Sequence, residues 1–348
     1  ERGYDFAMLY SEHTWGAHNS ITEPDSFFVQ DQWRVKRGFA ENAFWLSSQL
    51  KQDGIRALSE RIQNATPFTF AIWNLTQWPR SEEVVLDHSD SSKLLQIAEQ
   101  WVAVDNDGHS SPVLHDRRGS VFMAYDVPSL GYKTYRLQPQ SSIRAESTIH
   151  ANASNGILLS QDWEIKVDSQ TGGIASLLYL PQNRQWVDTN SPYHLNQYLY
   201  AQGPNGKESQ CADQVILQVD ENGDSRSLIA RVAAPGVEWL RQEIRLYPEE
   251  NRIDLINTLE KKDIREKEAV RFAFPFQVPK GQFTLEIPLA SMHPETEQLP
   301  GANRNIYTIR RWVDISNQDY GVTWVSNDAP LVELGEMYAE QEWLERLP

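Results

Sequence analysis

The chain has 348 residues, which at about 150 residues per domain points to two or three domains. It is 40% hydrophobic and 23% charged, the balance of a folded protein rather than a disordered one. Its net charge of −16, from 48 acidic and 32 basic residues, repels phosphate backbones and anionic lipid. Nucleic acid and membrane surfaces are therefore poor partners, while neutral ligands such as sugars stay open.

Residues 1–25 carry apolar residues at no steady period and read as loop. From about Asp31 to Asn64 the pattern is helical. Val35, Phe39, Ala43, Leu46 and Leu50 recur at steps of three and four. Gly54 interrupts this run, and Ile55, Leu58 and Ile62 continue a second short helix that Pro67 stops. Ser20-Ile-Thr-Glu23 fits a capping box.

After Thr66 the chain reads as strands, β-branched or aromatic runs bounded by turn residues. The predicted strands are 84–86, 121–125, 132–137, 163–167, 173–179, 215–219, 238–246, 252–259, 283–287, 307–313 and 320–325. Asp107-Gly108, Asn205-Gly206 and Asn222-Gly223 mark turns between them. No long helix alternates with these strands, so packed antiparallel sheets are expected rather than parallel βαβ units. A polar stretch at 139–155 is the expected linker. It separates a small β domain at 66–138 from a larger one at 156–348, with residues 1–65 as an N-terminal helical segment.

Cys211 is the one cysteine, which excludes an internal disulfide framework and a cysteine-based zinc site. A bacterial, cytoplasmic setting is the expectation that follows. Asn64-Ala-Thr66, Asn74-Leu-Thr76 and Asn152-Ala-Ser154 match the glycosylation pattern and are read as chance matches. The chain opens on Glu1 without a signal peptide, and it is expected to be a piece of a longer polypeptide.

The residues taken alone give weak catalytic signals. No phosphate-binding loop, dinucleotide glycine motif or His-Glu-x-x-His helix is present. His13 and His18 come closest to a histidine cluster, and a loop histidine with ordinary hydrogen bonds is the plain reading of each. His88-Ser-Asp90 has two-ligand spacing, but its hydrophilic neighbours read as a solvated turn. The 12 Trp, 13 Tyr and 12 Phe suit both a β-sandwich core and the stacking of sugar rings.

The segment 10–17 (Tyr-Ser-Glu-His-Thr-Trp-Gly-Ala), followed by Glu23-Pro-Asp25 and Gln32-Trp33, resembles the end of the catalytic domain of glycoside hydrolase family 38, in its bacterial branch. Further segments resemble the family in the same order: 70–75, 126–132, 167–177, 195–200, 265–276, 297–302 and 311–317. The resemblance implies a mainly β fold, with a small β-sandwich and then a large β-sandwich of the galactose-mutarotase type.

It also implies that residues 1–65 hold the end of a catalytic domain, in a retaining, zinc-dependent α-mannosidase acting on α-mannosides. Under it His13 maps onto a zinc ligand, Tyr198 onto a tyrosine of the sugar pocket, and Asn196 and Trp15 onto sugar contacts. The upstream His-x-Asp ligand pair, the nucleophile and the acid/base residue are not in this chain. The expectation is a fragment that is silent alone, whose partners are an α-mannoside and the missing N-terminal α/β domain, with a homo-oligomer also open. The alternatives are a non-catalytic carbohydrate-binding or scaffolding sandwich and a mutarotase-like enzyme. The second would need a paired His and carboxylate on one sandwich face, which the predicted strands do not offer.

Overall fold

The structure, a computed structural model, describes residues 1–12, 18–62, 68–86, 100–116, 119–140, 147–202, 209–210, 214–221, 225–247, 250–294, 296–304 and 306–335. The fold is mainly β and built of antiparallel sheets, as expected. Two compact units divide it: Glu1–Glu82 with Val102–Ser111 and Met123–Pro139, and Glu83–Trp101 with Pro112–Phe122 and Gln140–Pro348. Among the described residues no helix is long and apolar enough to cross a membrane.

The first unit opens with two helices, α1 (Arg2–Ser11) and α2 (Phe27–Ser59). The sequence reading missed α1, because a ten-residue helix is marginal by itself. It is held by packing on α2, where the Phe6 and Phe39 rings stack with centroids 6.3 Å apart. Helix α2 starts at Ser26 and not at the expected capping box, since the Ser26 hydroxyl accepts from the Val29 N–H at 3.4 Å. It also runs straight through Gly54. A glycine costs about 1 kcal/mol inside a helix, too little to break one that carries ion pairs such as Arg37–Glu41 at 2.6 Å ahead of Gly54 and Arg56–Asp53 at 3.8 Å across it.

Strand Thr69–Asn74 of this unit pairs antiparallel with Gly131–Pro139, placing Trp73 opposite Tyr132. Asn74 is buried, and its amide donates to the carbonyls of Trp78 and Val127 at 2.7 and 3.0 Å. That side chain is built into the turn, so the Asn74-Leu-Thr76 match is structural.

The second unit holds the large sandwich. Its central sheet runs Gln214–Asp220, Arg226–Ala233, Val237–Tyr247 and Glu250–Lys261, neighbours in chain order. One face presents Leu228, Ile244 and Leu246. It packs on Leu158, Ile165, Val167 and Ile174 of the sheet formed by His150–Asn152, Ile157–Leu159, Trp163–Val167 and Ile174–Tyr179. The same face continues as Ala230, Val232 and Leu240, which pack on Tyr198 and Tyr200 of strand Gln197–Gln202. A third core gathers Leu285, Tyr307, Ile309, Val313 and Leu334.

Tight contacts fix this packing. Gly236 has φ +74°, and a Cβ there would stand 2.2 Å from the Tyr200 ring, so only glycine lets the ring lie on the backbone. The strand expected over 307–313 is two, Ile306–Thr308 and Trp312–Ser316. Between them Arg310 turns to hydrogen bond the Glu286 carbonyl, and the Arg311 guanidinium holds the Glu286 carboxylate at 2.9 Å.

Candidate functional site

His13 and Trp15 lie outside the described residues, as do His88-Ser-Asp90 and Cys211. Asn196 and Tyr198 are described, and both stand at the start of strand Gln197–Gln202. Asn196 adopts φ +60°, a left-handed backbone that asparagine tolerates better than most residues. Its N–H donates to the Ala273 carbonyl at 2.6 Å, and its side chain exchanges two amide hydrogen bonds with Asn257, at 3.0 and 2.7 Å. Gln242 from strand Val237–Tyr247 donates to the Asn196 carbonyl in a short bond. These three amides lock the left-handed corner that turns the chain into the strand.

Tyr198 is fully buried. Its hydroxyl donates to the Pro235 carbonyl at 2.7 Å, and its ring meets Phe272 edge to face at 5.8 Å. A tyrosine that reached into a pocket shared with an absent domain would be exposed in this chain. In this arrangement the polar groups of Asn196 and Tyr198, the two expected sugar contacts, bond to Asn257, Gln242, Ala273 and Pro235. Both are 0–1% exposed and engaged with protein groups. Alternation along a strand cannot tell a buried aromatic from one that faces a pocket, which is why the sequence did not separate these outcomes.

Tyr200, two residues on and on the same face, donates to Glu268 at 2.7 Å. Burial and the neighbouring Glu268 push its hydroxyl up to about 12. Lys261 forms an ion pair with the same Glu268.

The opposite face of strand Val237–Tyr247 carries a buried chain of charge. Arg241 and Arg245 flank Glu243, at 2.6 and 2.7 Å, and Glu83 takes up the far side of Arg245 at 3.3 Å. Ser227 donates to Glu243 at 2.7 Å. Burial alone would raise the Glu243 carboxyl. The charge and hydrogen bonds of Arg245, the Ser227 hydroxyl and the charge of Arg241 outweigh it and hold the group at about 2. A glutamate held ionised between two guanidinium groups has no proton to give for acid catalysis, and this chain of charge is structural.

One cluster among the described residues has metal-ligand chemistry: Asp105, Asp107 and His109 in the turn between strands Trp101–Asp105 and Ser110–Asp116, with ligand atoms within 4.8 Å of one another. It does not fit zinc. One Asp105 oxygen accepts the N–H groups of Asp107 and His109, each at 2.9 Å. The other faces the Lys133 ammonium at 3.0 Å, and Lys133 also stands 3.6 Å from Asp107. The ammonium supplies the positive charge a cation would bring. Burial tends to raise the Asp105 carboxyl, but the Lys133 and backbone hydrogen bonds hold it below its ordinary value. The sequence showed this Asp107-Gly108 turn but not the lysine, which arrives from a strand 28 residues away.

Residues 161–330 match the family model described as the glycosyl hydrolases family 38 C-terminal domain. The fold is similar to that of an alpha-mannosidase from Enterococcus faecalis V583, at 13% identity and a TM-score of 0.59, over 83% of this chain and 41% of that one. The chain thus spans about two-fifths of the length of that protein. No curated protein matches it.

Proposed function

We propose, on the match of residues 161–330 to the glycosyl hydrolases family 38 C-terminal domain, that the chain is the C-terminal part of a retaining α-mannosidase-like glycosidase of that family, without turnover of its own. The observation that carries this reading is the family match over the large sandwich, joined to a fold likeness that covers 83% of this chain but only 41% of an alpha-mannosidase. The share of that protein left unmatched is where the proposal puts the nucleophile and the acid/base carboxylate, the pair that retaining glycosidases need.

In the intact enzyme His13 is proposed as one zinc ligand and Trp15 as a sugar contact, both by resemblance. A zinc site needs three or four protein ligands, and the Asp105 cluster supplies no substitute. Zinc would therefore depend on residues outside this chain. Asn196 and Tyr198 are proposed to act from behind the sugar pocket as positioning residues. The amide lock at Asn196 and the Tyr198–Pro235 bond set the course of strand Gln197–Gln202. The substrate class is an α-mannoside, and a bacterial cytoplasmic setting is part of the same proposal.

The test is His13→Ala in the longer polypeptide that contains this chain. Loss of bound zinc and of most turnover, with the sheets still folded, is the expected result. Normal turnover would reject the role of His13.

A second reading, a sugar-binding sandwich without catalysis, draws on one observation. Leu75, Trp78, Leu130 and Tyr132 are 77%, 62%, 70% and 43% exposed, near Trp73, whose ring centroid lies 4.6 Å from that of Tyr132. Quenching of tryptophan emission by mannose oligosaccharides, abolished by Trp78→Ala, would favour it.

A further inference from the structure

We propose that the open end of the central sheet's ionic face binds a small oxyanion, a phosphate or carboxylate group, between Arg231 and Arg241. This inference rests on the geometry of that sheet and not on the glycosidase reading. Arg231 and Arg241 are direct partners across strands Arg226–Ala233 and Val237–Tyr247. Their row continues to Ile216 on one side and Thr258 on the other, so the four side chains share one face. Like charges set directly opposite in a sheet repel. The Arg231 Nε donates to Gln218 at 3.2 Å, and its Nη groups have no partner among the described residues.

The carboxylate beside Arg241 is shared. Glu243 Oε1 accepts from Arg245 and Ser227, and its Oε2 stands 2.6 Å from Arg241 Nη2. That contact is an ion pair off the hydrogen-bonding direction: Arg241 Nε and Nη2 are both buried without a hydrogen bond. Unmet donors are unfavourable in a side chain only 7% exposed. Glu260, the next carboxylate by register, is taken by the Trp239 indole N–H at 2.7 Å. Arg231, Arg241 and Arg245 thus meet Glu243 and Glu83, three cations against two anions.

The face is open where this charge is left over. Exposure rises along the strand from 1% at Glu243 to 7% at Arg241 and 45% at Trp239. Ile216, Arg231 and Thr258 are exposed too, so the cover over this face ends at Arg241. An oxyanion fits the donors there. The planar Arg241 fork takes two oxygens side by side, Arg231 adds a second cation, and the Thr258 hydroxyl adds a neutral donor. The net charge of −16 disfavours anions at long range, so these local donors supply the affinity.

The experiment is calorimetric titration of the full chain at low ionic strength, with sodium phosphate and separately with sodium succinate. Potassium chloride is the blank. One saturable site per chain, with a Kd of about 1 mM or tighter, is expected for at least one of the two. Binding of one alone would identify the group that carries the oxyanion. Arg231→Gln, on the surface, should weaken binding at least tenfold with the thermal melt unchanged. Arg241→Lys keeps the charge but not the fork and should weaken it also; if that variant fails to fold, Arg231→Gln alone decides. Arg184→Gln, at an arginine stacked on Tyr320 with its guanidinium 4.1 Å from the ring centroid, should leave binding intact. No saturable binding of either anion up to about 10 mM would overturn the proposal. So would binding indifferent to Arg231→Gln, since another site would then hold the anion.

Discussion

The Arg245 guanidinium grips Glu243 with two hydrogen bonds, Nε to Oε1 at 3.1 Å and Nη2 to Oε1 at 2.7 Å, on a strand where both side chains are more than 90% buried. Because side chains alternate along a strand, Leu240, Ile244 and Leu246 line the sandwich core while Arg241, Glu243 and Arg245 fill the other face. Strand Val237–Tyr247 is thus buried on both faces, one apolar and one ionic.

This pairing sets an acid limit on stability. The Glu243 carboxyl is held at about 2 in the fold, against 4.5 for the free group. Its contribution is therefore present above pH 4.5 and is lost as pH falls toward 2, an effect of about 3 kcal/mol. Urea midpoints of the chain should drop steeply over that window, and Glu243→Gln should flatten the drop. An unchanged pH profile in Glu243→Gln would contradict the assignment. Glu243→Ala, which leaves two buried guanidinium groups short of their anion, should cost about 3–5 kcal/mol.

Gly236→Ala and Gly108→Ala form a matched pair. Both glycines have positive φ, but only at Gly236 would the added methyl meet a buried ring, whereas Gly108 faces open space. Gly108→Ala should cost about 1 kcal/mol, the backbone penalty alone. Gly236→Ala should cost that and a further 1–3 kcal/mol of overpacking against Tyr200. Equal losses in thermal melts would refute the contact.

Tyr198→Phe separates a positioning residue from one that touches sugar. Removing the hydroxyl leaves the Pro235 carbonyl without this donor, so the isolated chain should lose about 1–2 kcal/mol of stability. A tyrosine whose hydroxyl served only a ligand would leave the stability of the chain unchanged.

Lys133→Met tests the reading of the Asp105 turn. The native chain, dialysed against a mild chelator, should retain no stoichiometric zinc. The variant should lose about 3 kcal/mol, because the Asp105 side chain, 1% exposed, loses its ion-pair partner. One zinc per chain after dialysis would show that the cluster is a metal site after all.

Local pattern made much of this architecture legible. Strand Trp163–Val167 matches its expected span to the residue, because its alternation and the Asp168 turn, which accepts the N–H groups of Gln170 and Thr171, are both local signals. Helix α1 was not legible, since its support is a ring on another helix 33 residues away. Nor was the ionic face of strand Val237–Tyr247. Charged residues at every second position read as a solvated face, and only the fold shows that it is covered. For Asn196 and Tyr198 the family resemblance named a role, but strand Gln197–Gln202 was not among the expected strands, and both it and the burial had to be seen. Lys133, which decides against zinc in the Asp105 turn, sits outside any motif window.

The most direct test of the account is hydrolysis of 4-nitrophenyl α-D-mannoside by the purified 348-residue chain with added zinc, beside a longer polypeptide that contains it. The account predicts no release above buffer from the chain alone and clear turnover, with the α anomer retained, from the longer protein. Steady turnover by the chain alone would contradict it, because the catalytic carboxylates would then have to lie within these residues.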